Sequence, residues 1–298
     1  MESFPSIDIV GHKRNNVVAG RKGAGKNIRT GICKLALNHG VFVKSHLIPL
    51  ALTMPMPKGL PLIQFKADAR SVRRWSSWYD MSLVTNEGEK ILTEFDTWAI
   101  SELRKNKLVW SGWGSNRSLE SLHIPIEDTA LGIRKIEGIN PKQLRLFFLS
   151  ILWRAASTTL PEFAEVQLPQ HDLERLRLMI LSRETEPLSF YPAHLTQLST
   201  IGNVHNHAPI ASIMKLSEFS EDAKIKSLPV FRFYFDGLII HMHRHASDDG
   251  YTSTLGNLTV GASETLTLMT ITYEKSFQRY NLMSGVRANF TGKNIAGS

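Results

Sequence analysis

One short turn signal constrains the fold of this chain more than any other feature of the sequence. Asp236-Gly237 separates two largely apolar segments, residues 230–235 and 238–245, and this dipeptide is typical of a type I′ hairpin. Two further strands rich in threonine are predicted over residues 255–260 and 266–273. The last third of the chain is therefore expected to be antiparallel β-structure.

Helices are predicted upstream of these strands. Residues 87–105 place apolar side chains near a 3.6-residue period, and a further helix is predicted over 171–183. Asn140-Pro141 is a strong helix start, because asparagine caps a helix and proline fits its first position. An apolar stripe follows, made by Leu144, Phe147, Phe148, Ile151 and Leu152. A helical segment followed by antiparallel strands predicts the α+β class.

Composition narrows the class of protein. The chain has 298 residues, enough for one large domain or two ordinary ones, and its net charge is +8. Its single cysteine, Cys33, excludes internal disulfides and any multi-cysteine metal site. The longest strongly apolar stretch, 146–153, is too short to cross a bilayer. We expect a soluble, cytoplasmic protein with no membrane partner, and the positive charge favours a polyanionic one.

The N-terminal residues 1–30 are predicted to be a flexible basic arm, followed by a lobe over 31–135 and a C-terminal α+β domain over 136–298. Residues 20–27 nearly match a phosphate-cradling G-x-x-x-x-G-K-[ST] loop, but Asn27 replaces the hydroxyl residue. The arm either contacts nucleic-acid phosphates or is a solvated leader. The candidate phosphate contacts are Lys13, Arg14, Arg21, Lys22, Lys26 and Arg29.

A second basic segment, residues 70–79, interleaves arginines with aromatic rings. Arginines bind phosphates and aromatic rings stack on bases, so this pattern favours nucleic-acid binding. The alternative is a surface strand whose tryptophan is anchored in the core. The candidate contacts are Arg70, Arg73, Arg74 and Trp75.

Three histidines alternate along the second strand of the predicted hairpin. His241, His243 and His245 would share a face that also carries Arg232 and Tyr234, while the opposite face is strongly apolar. We therefore expect the histidines on the more polar side of the sheet, as a polar or phosphate-facing surface. Histidines at i and i+2 can also share zinc, and residues 205–207 could complete such a site.

The segment around His46 resembles a known family. Cys33-Lys-Leu-Ala36, then Ser45-His46-Leu-Ile-Pro49, and then a helix opening near Glu89 are similar to the opening of HNH-type (ββα-metal) endonucleases, over residues 31–99. The resemblance implies that His46 is the general base that activates water. It implies a divalent cation such as Mg²⁺, with Asp80 and Glu89 as candidate ligands and Asp96 as a further acidic candidate. It also implies a nucleic-acid substrate, in bacterial phage defence or a mobile element.

The sequence departs from this family at its zinc knuckles. The two Cys-x-x-Cys pairs are replaced by Cys33…Ala36 and by residues near Thr85…Gly88, so we expect no structural zinc. Two functions stay open at this point. The chain is either a metal-dependent nuclease, or a catalytically inactive HNH-like module that binds nucleic acid or serves as a structural subunit of a larger protein complex. A metabolic enzyme built on the histidine strand is a third class.

Overall fold

The computed structural model describes residues 29–54, 62–65, 72–215, 227–244 and 255–283. These segments combine helices with a large mixed sheet, which agrees with the α+β class. Several predicted site residues, together with the glycine-rich loop 20–27, lie outside the described residues: Lys13, Arg14, Arg21, Lys22, Lys26, Arg70 and His245. In the segments that the structure describes, no helix combines the length and apolar character needed to span a bilayer.

The α-helices are α1 Leu50–Thr53, α2 Asn86–Lys105, α3 Pro141–Ser157 and α4 Gln170–Ser182, and residues 277–283 are also helical. The strands are β1 Thr30–Ile32, β2 His39–Val41, β3 Ser45–His46, β4 Leu62–Phe65, β5 Val72–Arg74, β6 Tyr79–Asp80, β7 Ile124–Pro125, β8 Leu131–Ile136, β9 Ala193–Leu198, β10 Asn206–Lys215, β11 Ser227–Phe235, β12 Leu238–His243 and β13 Leu266–Ile271.

Nine strands form one sheet in the order β5-β4-β10-β11-β12-β9-β13-β8-β7. Its pairs are antiparallel except for β4–β10 and β9–β13. Two short ribbons, β1–β2 and β3–β6, lie outside it. The sheet thus combines strands from both sides of the domain boundary expected at residue 135.

The predicted hairpin is confirmed. Phe235 pairs with Leu238, and both turn residues have positive φ, 50° at Asp236 and 81° at Gly237. The strand predicted over residues 255–260 is wrong, because this segment forms a short 3₁₀ helix, Gly256–Leu258. Glycine at positions 256 and 261 takes φ of 49° and 96°, which lies outside the extended region that a strand requires.

Helix α3 lies at the centre of the main core. Fourteen of its 17 residues are buried, including the predicted stripe from Leu144 to Leu152. Phe148 and Ile151 line a gap against Phe233 and Ile240 of the β11–β12 hairpin, while α2 and α4 also pack on this helix. A helix that is apolar nearly all round is buried on several sides.

Arg145 is the buried cation near the start of α3. Its guanidinium donates hydrogen bonds to the backbone oxygens of Thr185 (2.9 Å), Pro187 (3.1 Å), Phe190 (2.6 Å) and Tyr191 (3.3 Å). Burial lowers the pKa of Arg145 to about 10, so it stays charged at neutral pH. This side chain therefore fixes the loop over residues 185–191 to α3.

Candidate active site around His46

Two short antiparallel strands followed by a helix build the candidate site. His46 ends β3 and pairs with Tyr79 of β6, while Ser45 pairs with Asp80. Helix α2 begins six residues after β6, at Asn86. The side chains of residues 47 and 48, which follow His46, are fully buried and anchor the strand in the core. This ββα arrangement brings His46 near side chains of the helix.

An ion pair joins the helices to the strand that carries His46. Arg154, only 1% exposed, donates to both carboxylate oxygens of Asp96 on α2, at 3.0 and 2.5 Å. The same guanidinium donates to the backbone oxygen of His46 at 3.1 Å. A buried guanidinium is tolerable when it is paired and hydrogen-bonded in this way. Sequence analysis missed Arg154, although a cation that directly follows the apolar run 146–153 was an available signal.

The imidazole of His46 is half-buried and kept neutral. Burial lowers the pKa of His46, the positive charges of Lys44 and Arg154 lower it further, and Asp96 opposes them. Its Nε2 is buried and has no hydrogen-bond partner among the described residues. The ring centroid lies 6.3 Å from that of Tyr79, edge to face. A neutral imidazole with a free nitrogen is able to accept a proton.

The acidic candidates occupy different environments. Burial raises the pKa of Glu89, Asp96 adds to this, and Ser45 and Arg154 oppose it. One carboxyl oxygen of Glu89, Oε2, is buried without a hydrogen-bond partner in the described part of the chain. Glu89 is therefore a carboxyl group with a raised pKa and one unpaired oxygen next to the His46 strand.

Asp80 is instead a fully engaged carboxylate. Its Oδ1 accepts from the backbone and hydroxyl of Ser82, at 2.7 and 2.8 Å, and its Oδ2 accepts from Thr158 at 2.7 Å. Burial alone would raise the pKa of Asp80, but these hydrogen bonds outweigh it and the pKa is lowered. The carboxylate joins β6 to the end of α3.

A divalent cation has no ready set of ligands at this centre. Asp80 and Asp96 use their oxygens in hydrogen bonds within the fold, and no three His, Cys, Asp or Glu side chains of the described segments are grouped as they would be around a metal ion. The side chains therefore do not fit a cation held by three of them. The assignment of Asp80 and Glu89 as metal ligands stays a prediction.

The two segments that the sequence resemblance compares with zinc knuckles, at Cys33–Ala36 and Thr85–Gly88, lie together. Cys33 is buried, and its Sγ accepts a hydrogen bond from the backbone of Ala36 at 3.3 Å. A Cβ atom placed on Gly88 would come within 2.6 Å of that sulfur. A backbone hydrogen bond from Lys34 to Leu83 at 3.0 Å and a β-bridge between Phe42 and Thr85 hold the surrounding chain together. Packing around Cys33 thus connects the start of the lobe to the start of α2.

The basic aromatic segment leads directly into the candidate site. Arg73 and Arg74 are exposed on β5, the edge strand of the sheet, and Trp75 follows them with 68% of its surface exposed. The tryptophan anchored in the core is Trp78, which packs edge to face on a phenylalanine at 5.7 Å between ring centroids. Arg29, the one predicted arm residue that the structure describes, is also exposed.

The histidine strand has a different environment from the one predicted. His243 is 1% exposed and His241 is partly exposed, so the strand presents less polar surface than predicted. The reason is that Val230, on the same face, packs with Leu255 from the segment that precedes the 3₁₀ helix. His194 of β9, which is 0% exposed, lies beside these two histidines. The ring of His194 stacks on His241 at 4.8 Å and lies 6.2 Å from His243.

Burial lowers the pKa of all three imidazoles in this cluster, to about 3 for His241 and about 4 for His243. They are neutral at pH 7. Sequence analysis missed His194, since its place beside His241 depends on the pairing of β9 with β12. No local pattern indicates that pairing.

Comparisons with protein-family models, curated proteins and solved structures found no match to this chain. The function is therefore inferred from the side chains of the candidate site and its surroundings.

Proposed function

We propose that this chain is a nucleic-acid-directed protein with an HNH-like N-terminal lobe, in which His46 is the general base of phosphodiester hydrolysis. The observation that carries the proposal is a neutral imidazole on a ββα unit. Arg154, in its ion pair with Asp96, donates a hydrogen bond to the backbone oxygen of His46 and so holds the strand in place. The contact between Cys33 and Gly88 also supports it, because the resemblance pairs these two segments.

In this proposal His46 takes a proton from water while the water oxygen attacks phosphorus. The bond to the leaving oxygen breaks, and that oxygen takes a proton from solvent water. General-base catalysis of this kind contributes about 10²–10⁴-fold in rate. Lys44 and the arginines of β5 are the exposed cations that would hold the phosphates. The resemblance also implies a divalent cation such as Mg²⁺, but the transfer of the proton from water needs only the imidazole of His46.

The second candidate is an inactive module that binds nucleic acid or acts as a structural subunit of a larger complex. One observation favours it: the carboxylates of Asp80 and Asp96 are engaged in structural contacts, and the Nε2 of His46 is buried. Either function is compatible with the proposed setting, a cytoplasmic bacterial defence system or mobile element.

A cleavage assay separates the two candidates. Supercoiled plasmid, single-stranded DNA and RNA are incubated with the full chain in Mg²⁺, in Mn²⁺ and in EDTA. His46→Ala should lose cleavage by about 10²-fold or more. His171→Ala is the matched control, because His171 is exposed on α4.

Cleavage that persists in His46→Ala would refute the role of His46. Binding without any cleavage by the wild type would favour the inactive module.

A further inference from the structure

The most exposed aromatic ring beside the candidate site is Trp75. A tryptophan that is 68% exposed leaves a large apolar face in water, and such faces often mark binding sites. Two exposed arginines, Arg73 and Arg74, immediately precede it on the edge strand. Within the described ranges, no carboxylate lies within 4.0 Å of either guanidinium. Cation and aromatic ring are therefore both available to a ligand.

The chain leads from these residues to the strand that pairs with His46. Only residues 75–78 separate Arg74 from Tyr79, and Tyr79 pairs with His46. Tyr79 is 38% exposed, and the Nζ of Lys44 lies 4.1 Å from the centroid of its ring. Each exposed ring thus has a cation beside it, Arg74 next to Trp75 in the chain and Lys44 over the ring of Tyr79.

We propose that this surface, made by Arg73, Arg74, Trp75, Lys44 and Tyr79, binds single-stranded nucleic acid, with an unpaired base stacked on Trp75. The inference rests on the proposed function where it makes this strand the substrate of His46. Stacking needs a base whose face is free, and inside a duplex both faces are covered by neighbouring base pairs. Arginines contact the phosphates of either form, so the exposed tryptophan is what selects a single strand.

The test is fluorescence anisotropy on the full chain. The probes are a labelled oligonucleotide of about 16 nucleotides, near the upper site size of one binding groove, and its duplex. We expect tighter binding of the single strand. Trp75→Ala should weaken that binding by about 5- to 100-fold, the range of one base stack, and Trp75→Phe should retain most of it. Tyr280→Ala is the control, because Tyr280 is an equally exposed ring at the other end of the described chain.

The arginines give a separate signature. Arg73→Ala with Arg74→Ala should weaken both probes and reduce the salt slope by about one unit per lost phosphate contact, whereas Trp75→Ala should leave the slope unchanged. Equal affinity for both probes, or no effect of Trp75→Ala on the single strand, would overturn the inference and leave the proposed function standing. Trp75-dependent binding of the single strand without His46-dependent cleavage would leave the inference standing and overturn the catalytic proposal. Absence of binding to either probe at low salt would overturn both.

Discussion

Arg154 donates to both carboxylate oxygens of Asp96, and its remaining contact across the core is the backbone oxygen of His46. Asp96→Asn would leave the buried guanidinium without its counter-charge. We expect the free energy of unfolding to fall by about 3 kcal/mol. The control is Glu94→Gln, which breaks the ion pair with Arg183 where both side chains are well exposed and should cost under about 1 kcal/mol. Urea unfolding of the two variants measures the difference, and equal losses would contradict the structural role of the Asp96 pair.

The pKa of His46 should respond in opposite directions to its two charged neighbours. Asp96 raises this pKa and Lys44 lowers it, so Asp96→Asn should shift the His46 titration to lower pH and Lys44→Gln should shift it to higher pH. Imidazole resonances followed by NMR between pH 4 and 8 measure both shifts. Shifts of the same sign would show that the charges around His46 are arranged differently.

Gly88 is required by its contact with Cys33. Alanine at this position would place its Cβ 2.6 Å from the sulfur and 2.9 Å from the Cβ of Val84. Overpacking of this kind costs about 1–3 kcal/mol, although alanine is the better helix former by about 1 kcal/mol. We expect Gly88→Ala to destabilise the protein, and Cys33→Ala in the same chain to recover part of the loss. A double-mutant cycle by thermal unfolding measures this coupling, and strictly additive effects would contradict it.

The turn residue Asp236 should make stability fall as pH rises. Burial raises the pKa of Asp236 to about 7, against the opposing hydrogen bond from the backbone of Ser111. In the unfolded chain Asp236 releases its proton near pH 3.8. Its contribution to the free energy of unfolding is therefore complete below that pH and is lost as pH rises to about 7. Asp236→Asn keeps an acceptor for Ser111 and tolerates φ of 50°.

The variant should therefore gain up to about 4 kcal/mol over the wild type at pH 8, and progressively less towards pH 4. Urea unfolding at several pH values measures this gain. A gain in stability that is the same at every pH would contradict the raised pKa of Asp236, and the turn preference of asparagine alone would then explain it.

The histidine cluster should make the protein acid-sensitive. His194 and His243 lie beside His241, which faces Arg232 across β12 and β11, and the strands β9 to β12 contain no Asp or Glu. Their pKa values in the folded protein are lowered from 6.5. Their contribution to the free energy of unfolding is therefore fully present above pH 6.5 and is lost as pH falls towards 4.

Between pH 7 and pH 5, the free energy of unfolding should fall by about 2 kcal/mol for each imidazole that stays neutral in the folded protein. Urea unfolding at these two pH values measures the loss, and His241→Asn should reduce it. An unchanged slope in His241→Asn would contradict the assignment.

Local signals predicted the elements that local interactions determine. Helix α3 begins where Asn140 and Pro141 place it, because the Asn140 side chain accepts a hydrogen bond from the backbone of Gln143 at 3.0 Å. The hairpin at Asp236-Gly237 follows for a similar reason, since two residues fix its turn. The resemblance singled out His46 on residue types alone.

Long-range pairings could not be predicted in this way. His46 finds its partner Tyr79 after an excursion that contributes β4 and β5 to the large sheet, and β4 pairs with β10 far along the chain. Pairing across such distances depends on the complementarity of surfaces that only the folded chain forms. The burial of the histidine face has the same origin, because the covering segment around Leu255 follows in sequence but carries no signal of where it will pack.

The His46 site depends on α3, a helix that lies outside the ββα unit. The helix holds the loop over residues 185–191 through Arg145 near its start, and it holds β3 through Arg154 near its end. A helix behaves as a nearly rigid rod, so a displacement at one arginine is carried to the other. Excising the ββα unit without α3 would remove its internal counter-charge and one wall of its core. The imidazole and the loop that leads into the large sheet are therefore coupled through one helix.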